Sequence, residues 1–167
     1  MKKLFSTPGV TAYLTVVFLN AFVDLGHKIT IQNTIFKVYD GNTQIIYAAI
    51  INSMILLPFI LLFNPAGIIS DRFAKEIVMR FSAWAAVAIT LGITCCYYMG
   101  WFWPAFALTF VLAIQSAIYS PAKYGYIKTL FGKQHLAEGN GLVQAATIVA
   151  ILFSTVVFSV FFESLFP

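Results

Sequence analysis

Charged side chains are scarce in this chain of 167 residues, and their scarcity decides its structural class. Asp, Glu, Lys and Arg make up only 10% of the sequence, whereas 60% of the residues are hydrophobic. An average soluble domain contains about 25% charged residues. A soluble core of this size cannot bury so much apolar surface, so an ordinary soluble domain is excluded. The mean hydropathy of +0.88 instead predicts an all-α membrane protein with several transmembrane helices.

The residue patterns that carry most enzyme chemistry are lacking as well. Cys95 and Cys96 are adjacent in an apolar segment. Neighbouring cysteines rarely form a good disulfide, and no metal-ligand spacing accompanies them, so we interpret them as small buried hydrophobic residues. No nucleophile–base set or phosphate-binding glycine loop is recognisable, and we therefore expect no enzyme activity, cofactor or metal. The basic residues form no stripe interleaved with aromatic residues, which disfavours a nucleic-acid partner.

Long apolar runs are what the sequence has in place of charge. About 20 apolar residues cross the hydrocarbon core of a bilayer, and five segments are long enough: residues 11–35, 44–63, 77–98, 101–120 and 139–162. Asn-Pro-Ala-Gly at 64–67 is predicted to break the chain after the second segment. Pro121 is predicted to end the fourth helix, with the longest loop over 122–138. No small-residue cleavage site follows the basic start at residues 1–3, so the first segment is predicted to remain as a membrane helix.

The distribution of basic residues predicts an orientation. Eight of the ten Lys and Arg residues fall on one side of the five predicted spans, namely Lys2, Lys3, Arg72, Lys75, Arg80, Lys123, Lys128 and Lys133. The positive-inside rule then places the N-terminus in the cytoplasm and the C-terminus outside. An odd number of helices with an abrupt end at residues 166–167 indicates a fragment, or the N-terminal part of a larger chain.

The first segment carries an unusual set of polar residues for a membrane helix. Steps of three and four residues place them on one broad face: Asn20, Asp24, His27, Lys28 and Gln32. A charge near the middle of a membrane helix costs about 2.5–3.5 kcal/mol on insertion scales. Asp24 and Lys28 are one turn apart and can partly neutralise each other. The face either lines a water-filled substrate path or carries an ion pair that only fixes helix packing.

Three other segments carry polar residues, and each segment has two possible interpretations. The segment after the second span contains Gly67, Asp71, Arg72 and Lys75, which form either a charge latch at the cytoplasmic helix ends or an ordinary basic loop. Lys123 follows Pro121 and either points inward or extends to the interface. The last span has a polar face that either makes interhelical hydrogen bonds or lines a cavity; its members are Asn140, Gln144, Thr147 and Ser154.

Several of these motifs resemble known transporters. Residues 67–75 resemble the major facilitator superfamily signature Gly-x-x-x-Asp-Arg-x-Gly-Arg/Lys, with Ala74 in place of its second glycine. Four stretches resemble the bacterial lysophospholipid transporters of that superfamily: Phe-Leu-x-Ala-Phe-x-Asp at 18–24, Asp-x-Phe-Ala-Lys at 71–75, Ser-Pro-Ala-Lys-Tyr-Gly at 120–125 and Asn-Gly-Leu-x-x-Ala-x-Thr-Ile at 140–148. The resemblance covers nearly the whole chain, but only the first five of about twelve family helices.

This resemblance implies a fold, an activity and a set of residues. The fold is the N-terminal part of a major facilitator bundle, and the activity is lysophospholipid flipping across the bacterial inner membrane by alternating access. The implied transport residues are Asp24 and Lys123, whereas Lys28 has no firm family counterpart. Some family members are fused or operon-linked to an acyltransferase and an acyl-acyl-carrier-protein synthetase, and this chain contains neither domain.

The candidate substrate-binding residues are therefore Asp24, Lys28, Lys123, Asn20 and Gln144. We expect a lysine, Lys28 or Lys123, to hold the headgroup phosphate and Asp24 to hold an ammonium. Two other functions stay open. One is proton-coupled transport of another small molecule or drug, with Asp24 as proton carrier and His27 assisting. The other is a non-transporting remnant that serves as a partner subunit.

Overall fold

The computed structural model describes residues 7–165 and is helical over nearly all of them. Its elements in chain order are α1 (Val10–Val38), α2 (Gly41–Leu61), α3 (Phe63–Arg72), α4 (Lys75–Tyr98), α5 (Phe102–Phe131), a 3-10 turn (Lys133–His135) and α6 (Leu136–Leu165). No strand occurs within this described range. The predicted all-α class is confirmed.

Five of these helices are long and apolar enough to cross a membrane, which confirms the predicted number of spans. They are α1, α2, α4, α5 and the segment made of the 3-10 turn and α6. The chain is thus a multi-pass membrane protein. With 29 and 30 residues, α1 and α5 exceed the roughly 20 that the hydrocarbon core requires. Their ends therefore extend beyond the hydrocarbon core.

The connections between spans differ from the sequence-based prediction. The predicted break at residues 64–67 is wrong, because these residues form the start of α3. Pro65 is tolerated there since the first turn of a helix has no hydrogen-bond partners for its N–H groups. The predicted helix end at Pro121 is also wrong: α5 continues through it to Phe131 and shortens the expected loop. Membrane helices tolerate proline because neighbouring groups satisfy the freed carbonyl, and α5 stops only at Gly132, whose φ is 73°.

Two helix pairs build the bundle: α1 packs along α6, and α4 packs along α5. A close approach between α1 and α6 occurs at Gly26, where the Phe158 ring fills the space that a Cβ would need. α5 touches every other membrane-spanning helix and is the most buried of the five spans. Polar side chains on α5 therefore face other helices more than lipid.

The outer surface is apolar, as a lipid-facing surface requires. Large side chains such as Ile60 on α2 and Leu152 on α6 are exposed. Cys95 is also exposed and Cys96 is half-buried, both as free thiols, so the expectation of two buried cysteines is wrong for Cys95. The predictions that concern Lys2, Lys3 and the chain end at 166–167 lie outside the described residues.

Candidate functional site

Asp24 and Lys28 form an ion pair within α1. The Lys28 Nζ and Asp24 Oδ2 atoms are 2.7 Å apart, and each side chain is only 18% exposed. The pair joins residues one helical turn apart, as their spacing predicts. Mutual neutralisation lowers the cost of inserting both charges, while the Asp24 carboxylate keeps lone pairs for additional donors.

A serine from α5 holds the other oxygen of the same carboxylate. The Ser116 hydroxyl donates to Asp24 Oδ1 at 3.1 Å, and Ser116 is buried. Because one oxygen pairs with Lys28 and the other with Ser116, the orientation of the carboxylate is fixed between α1 and α5. This contact places Asp24 at a helix–helix boundary instead of a lipid-facing surface.

Gln115 extends this arrangement to a third helix. Its amide nitrogen donates to Asn20 Oδ1 at 3.3 Å and to the Ser82 carbonyl of α4 at 3.0 Å. The side chain is buried, and its amide oxygen lies 3.4 Å from the Ser116 hydroxyl. We call the connected set the polar network: Asn20, Asp24, Lys28, Ser82, Gln115 and Ser116.

Lys123 lies on the same side of α5 as Ser116, because seven residues correspond to almost two whole turns, or about 10 Å along the axis. Its Nζ is 4.6 Å from the centre of the Tyr124 ring, and its carbonyl accepts a hydrogen bond from the Tyr13 hydroxyl at 2.7 Å. Among residues 7–165 no carboxylate lies within ion-pair distance of it. Asp24 acts on Lys123 only through the longer-range electrostatic field.

The remaining polar residues of α1 and α6 are dispersed. His27 is buried, and its ring lies beside Phe158 of α6 at 6.1 Å between centroids. Ser154 donates to the Phe22 carbonyl at 2.6 Å, so the interhelical reading holds for Ser154. Gln144 is exposed and lies outside the polar network, as does the half-buried Gln32.

The signature segment at 67–75 and the Ser-Pro-Ala-Lys-Tyr-Gly segment at 120–125 meet at one end of the bundle. The Lys75 Nζ lies 3.9 Å from Asp71 Oδ1 and 3.3 Å from the Ser70 carbonyl. The aliphatic stem of Lys75 passes over Gly125 of α5, where a Cβ would collide with it. By contrast, Gly67 faces open space, and Arg72 is exposed at the end of α3.

A cavity of about 550 Å³ lies between α1 and α4, away from the polar network. Its lining is mostly apolar, with Tyr13, Met79 and Trp84 among the wall residues and Glu76 and Arg80 as its charged members. Within residues 7–165 no group of three or more His, Cys, Asp or Glu side chains could hold a metal ion. In the polar network, by contrast, polar groups of α4 and α5 converge on the α1 helix that carries the Asp24–Lys28 ion pair.

Sequence reasoning missed the α5 contributors Gln115 and Ser116 and the α4 carbonyl of Ser82. A signal was present, because Gln115 and Ser116 are adjacent polar residues in the middle of an apolar run. The helical spacing of polar residues, however, does not identify the helix that the side chains of Gln115 and Ser116 contact.

Comparison with known proteins gives relatives that agree in name. Over 156 residues the chain is 33% identical to "Lysophospholipid transporter LplT" of Photorhabdus laumondii, covering 90% of this chain and 36% of that protein. The protein of the same name from an Escherichia coli strain is also 33% identical, with 89% and 35% covered. The one from Salmonella arizonae is 38% identical over 108 residues, with 62% and 25% covered.

The chain thus spans about a third of the length of the curated relatives that it matches over most of its own length. No protein-family model matches the sequence. No solved structure matches it either. The identity along most of the chain, together with five membrane-capable helices, makes these lysophospholipid transporters, which are members of the major facilitator superfamily, the relatives of this protein.

Proposed function

We propose that this chain forms the N-terminal part of a transporter that flips lysophospholipids across the bacterial inner membrane. The observation that supports it most is the presence of opposite charges on α1 and α5: a fixed Asp24 carboxylate on α1 and, on α5, the Lys123 ammonium without a carboxylate partner among residues 7–165. The names of the relatives support the same substrate class.

A lysophospholipid headgroup suits this charge arrangement. The phosphate is anionic, and an ethanolamine headgroup adds a primary ammonium. Lys28 is already bonded to Asp24, so the structure favours Lys123 over Lys28 for the phosphate. The Asp24 carboxylate has lone pairs left for the ammonium. The single acyl chain would stay in contact with lipid, which spares the bundle from enclosing it.

Alternating access would arise from rocking of the two halves of the complete transporter around this site. α1 and α5 occupy related positions in the inverted three-plus-three repeat, and both would line the cavity. The contact of Lys75 with Gly125 links the signature segment to α5 near the proposed phosphate site, so movement of the α3–α4 corner would be felt by Lys123. An acyltransferase that re-acylates the lysolipid, fused or separate, would consume the product.

Uptake of fluorescent lysophosphatidylethanolamine into vesicles holding the complete transporter tests the proposal. We expect uptake that saturates with lysolipid and that diacyl phosphatidylethanolamine does not compete for. Uptake no faster than in protein-free vesicles would contradict it.

Proton-coupled transport of another cargo is the second candidate, because Asp24 is a membrane carboxylate with buried His27 beside it on the same helix. The same vesicles distinguish the two. Lysolipid uptake that continues without a pH gradient favours flipping, and an absence of lysolipid uptake alongside gradient-driven uptake of another solute favours the alternative.

The proposed orientation gives a separate prediction. In a chain with Cys95→Ala and Cys96→Ala, an added Asn42→Cys substitution, in the first turn of α2, should give a thiol that reacts with a membrane-impermeant maleimide added to spheroplasts. A cysteine at Gln134, in the turn before α6, should react only after permeabilisation. Both side chains are exposed, so accessibility within the bundle does not confound the comparison. The reverse labelling pattern would place the N-terminus outside.

A further inference from the structure

We infer that Ser116 and Gln115 are positioning residues: Ser116 holds the ionised Asp24 carboxylate, and Gln115 offers the Ser116 hydroxyl a second acceptor when a substrate cation takes Asp24. The Ser116 hydroxyl, which has one hydrogen, lies between two acceptor oxygens, one from Asp24 and one from Gln115. Asp24 Oδ1 lies 3.1 Å from Ser116 Oγ, and Gln115 Oε1 lies 3.4 Å from it. A hydroxyl donates to one acceptor at a time, and the nearer, charged oxygen holds it in this structure.

The orientation of the Gln115 amide is determined by its other contacts. Its nitrogen donates to two acceptors, Asn20 Oδ1 and the Ser82 carbonyl. Exchanging nitrogen and oxygen would place the amide oxygen against the Ser82 carbonyl oxygen, which can only accept, so the amide oxygen points toward Ser116. The contacts with α1 and α4 thereby hold the Gln115 amide oxygen beside Ser116 as an alternative acceptor, and the hydroxyl can reach it without any movement of the backbone.

The consequence concerns the exchange of partners at Asp24. When an ammonium approaches the carboxylate, the Ser116 hydrogen can rotate to Gln115, so no buried donor is left unpaired, which would otherwise be costly. The Gln115 amide oxygen is the second acceptor that the structure places within hydrogen-bond distance of this hydroxyl. The role in transport rests on the proposed function, whereas the hold of Ser116 on the carboxylate does not and can be measured on this chain alone.

The test is the rate at which dicyclohexylcarbodiimide, which reacts with protonated carboxyl groups in apolar surroundings, labels Asp24 in the purified 167-residue chain. Two variants of equal shape isolate the hydroxyl: Ser116→Val removes it and Ser116→Thr keeps it. Hydrogen bonds to ionised groups are the stronger class, so we expect Ser116→Val to label about tenfold faster. Ser116→Thr should label at the wild-type rate.

The chain supplies matched controls. Ser154→Ala removes another buried hydroxyl that donates to α1, at the Phe22 carbonyl, without contacting Asp24, and should leave the labelling rate unchanged. Exposed Asp71 should remain unlabelled in every variant, which checks the selectivity of the reagent in the same sample. The titratable groups near Asp24, namely Lys28, His27 and Lys123, are the same in all variants, and residues 143–162 of α6 include no titratable side chain.

Equal labelling of Asp24 in the Ser116→Val and Ser116→Thr variants would overturn the inference.

A second experiment uses the complete transporter. There, Ser116→Val should raise the KM for lysolipid several-fold and leave the maximal rate within about twofold of the wild-type value. Gln115→Leu should lower the maximal rate instead. Faster Asp24 labelling in Ser116→Val, with no lysolipid uptake by the wild-type transporter, would refute the proposed function while the hold of Ser116 on the carboxylate stands. Lysolipid uptake with a KM unaffected by Ser116→Val would refute the positioning role.

Discussion

Replacing Asp24 with Asn should reduce lysophospholipid uptake by at least about tenfold in vesicles holding the complete transporter. Asn has the same size and can still accept from Ser116, but it has lost the charge that would attract an ammonium. Charge-assisted hydrogen bonds contribute about 1.5–3 kcal/mol, which corresponds to a tenfold or larger loss. The measurement is the initial uptake rate at a fixed amount of inserted protein. Wild-type uptake by Asp24→Asn would remove Asp24 from the site.

The surface offers a control with the same chemistry. Lys37 and Glu163 form an exposed ion pair at 2.9 Å that joins α1 to α6. Exposed pairs contribute little to stability, so Glu163→Gln should leave lysolipid uptake within the error of the assay. A loss as large as that of Asp24→Asn would show that uptake responds to any lost acid.

A double variant separates the two readings of the ion pair. If Asp24 only neutralises Lys28, then replacing both, as Asp24→Asn with Lys28→Gln, should restore uptake, because no unpaired charge remains in the membrane. We expect no restoration, since the carboxylate itself would bind the headgroup. Restored uptake would support an ion pair that only fixes packing.

Gly26→Ala should destabilise the bundle by about 1–3 kcal/mol, the range found when a packed core receives an extra carbon. The new Cβ would overlap the Phe158 ring, which packs directly on this glycine, so α1 and α6 would have to separate. The measurement is the free energy of unfolding in mixed micelles titrated with sodium dodecyl sulfate. Unfolding at the wild-type detergent fraction would mean that α1 and α6 do not approach closely here.

Gly67→Ala is the matched control, since Gly67 is also helical but has open space where the Cβ would be. Replacing a helical glycine by alanine is favourable by up to about 1 kcal/mol in a solvent-exposed helix. We therefore expect Gly67→Ala to leave the free energy of unfolding unchanged or slightly raised. The difference between the two variants isolates the helix contact from helix propensity.

Features set by local spacing could be predicted from the sequence, and features set by helix neighbours could not. The number of spans follows from apolar length, and the Asp24–Lys28 contact follows from a four-residue step on one helix. The spacing of polar residues does not predict that α5 supplies the second hydrogen-bond partner of Asp24. A helical repeat identifies one face of a helix, but it does not identify the helix that packs against that face. Ser116 and Gln115 could be assigned only from the packed structure.

The two proline errors have a physical explanation of the same kind. The local chemistry of proline predicts a helix boundary at Pro65 and at Pro121. In the bundle, Pro65 lies in a first turn and Pro121 lies inside α5. The sequence shows that a proline removes one backbone hydrogen bond. Its position in the helix and the surrounding helices determine whether the helix continues through it.

The relation between Asp24 and Lys123 was also sharpened by the structure. The family resemblance implies that both are transport residues, and in the structure they do not form an ion pair. Separation has a use in the proposed mechanism, because a direct pair would leave neither charge free for a headgroup. We expect Lys123→Gln to raise the KM for lysolipid more than Lys28→Gln does, as measured from the concentration dependence of uptake.

Photocrosslinking tests the central claim most directly. A lysophosphatidylethanolamine with a photoreactive headgroup would be added to the chain in nanodiscs, and mass spectrometry would locate the label. We expect label on α1 between Asn20 and Gln32 and on α5 between Ser116 and Lys123, reduced by excess unlabelled lysolipid. Label confined to the exposed apolar surface of α2 and unaffected by competitor would contradict a lysophospholipid site between α1 and α5.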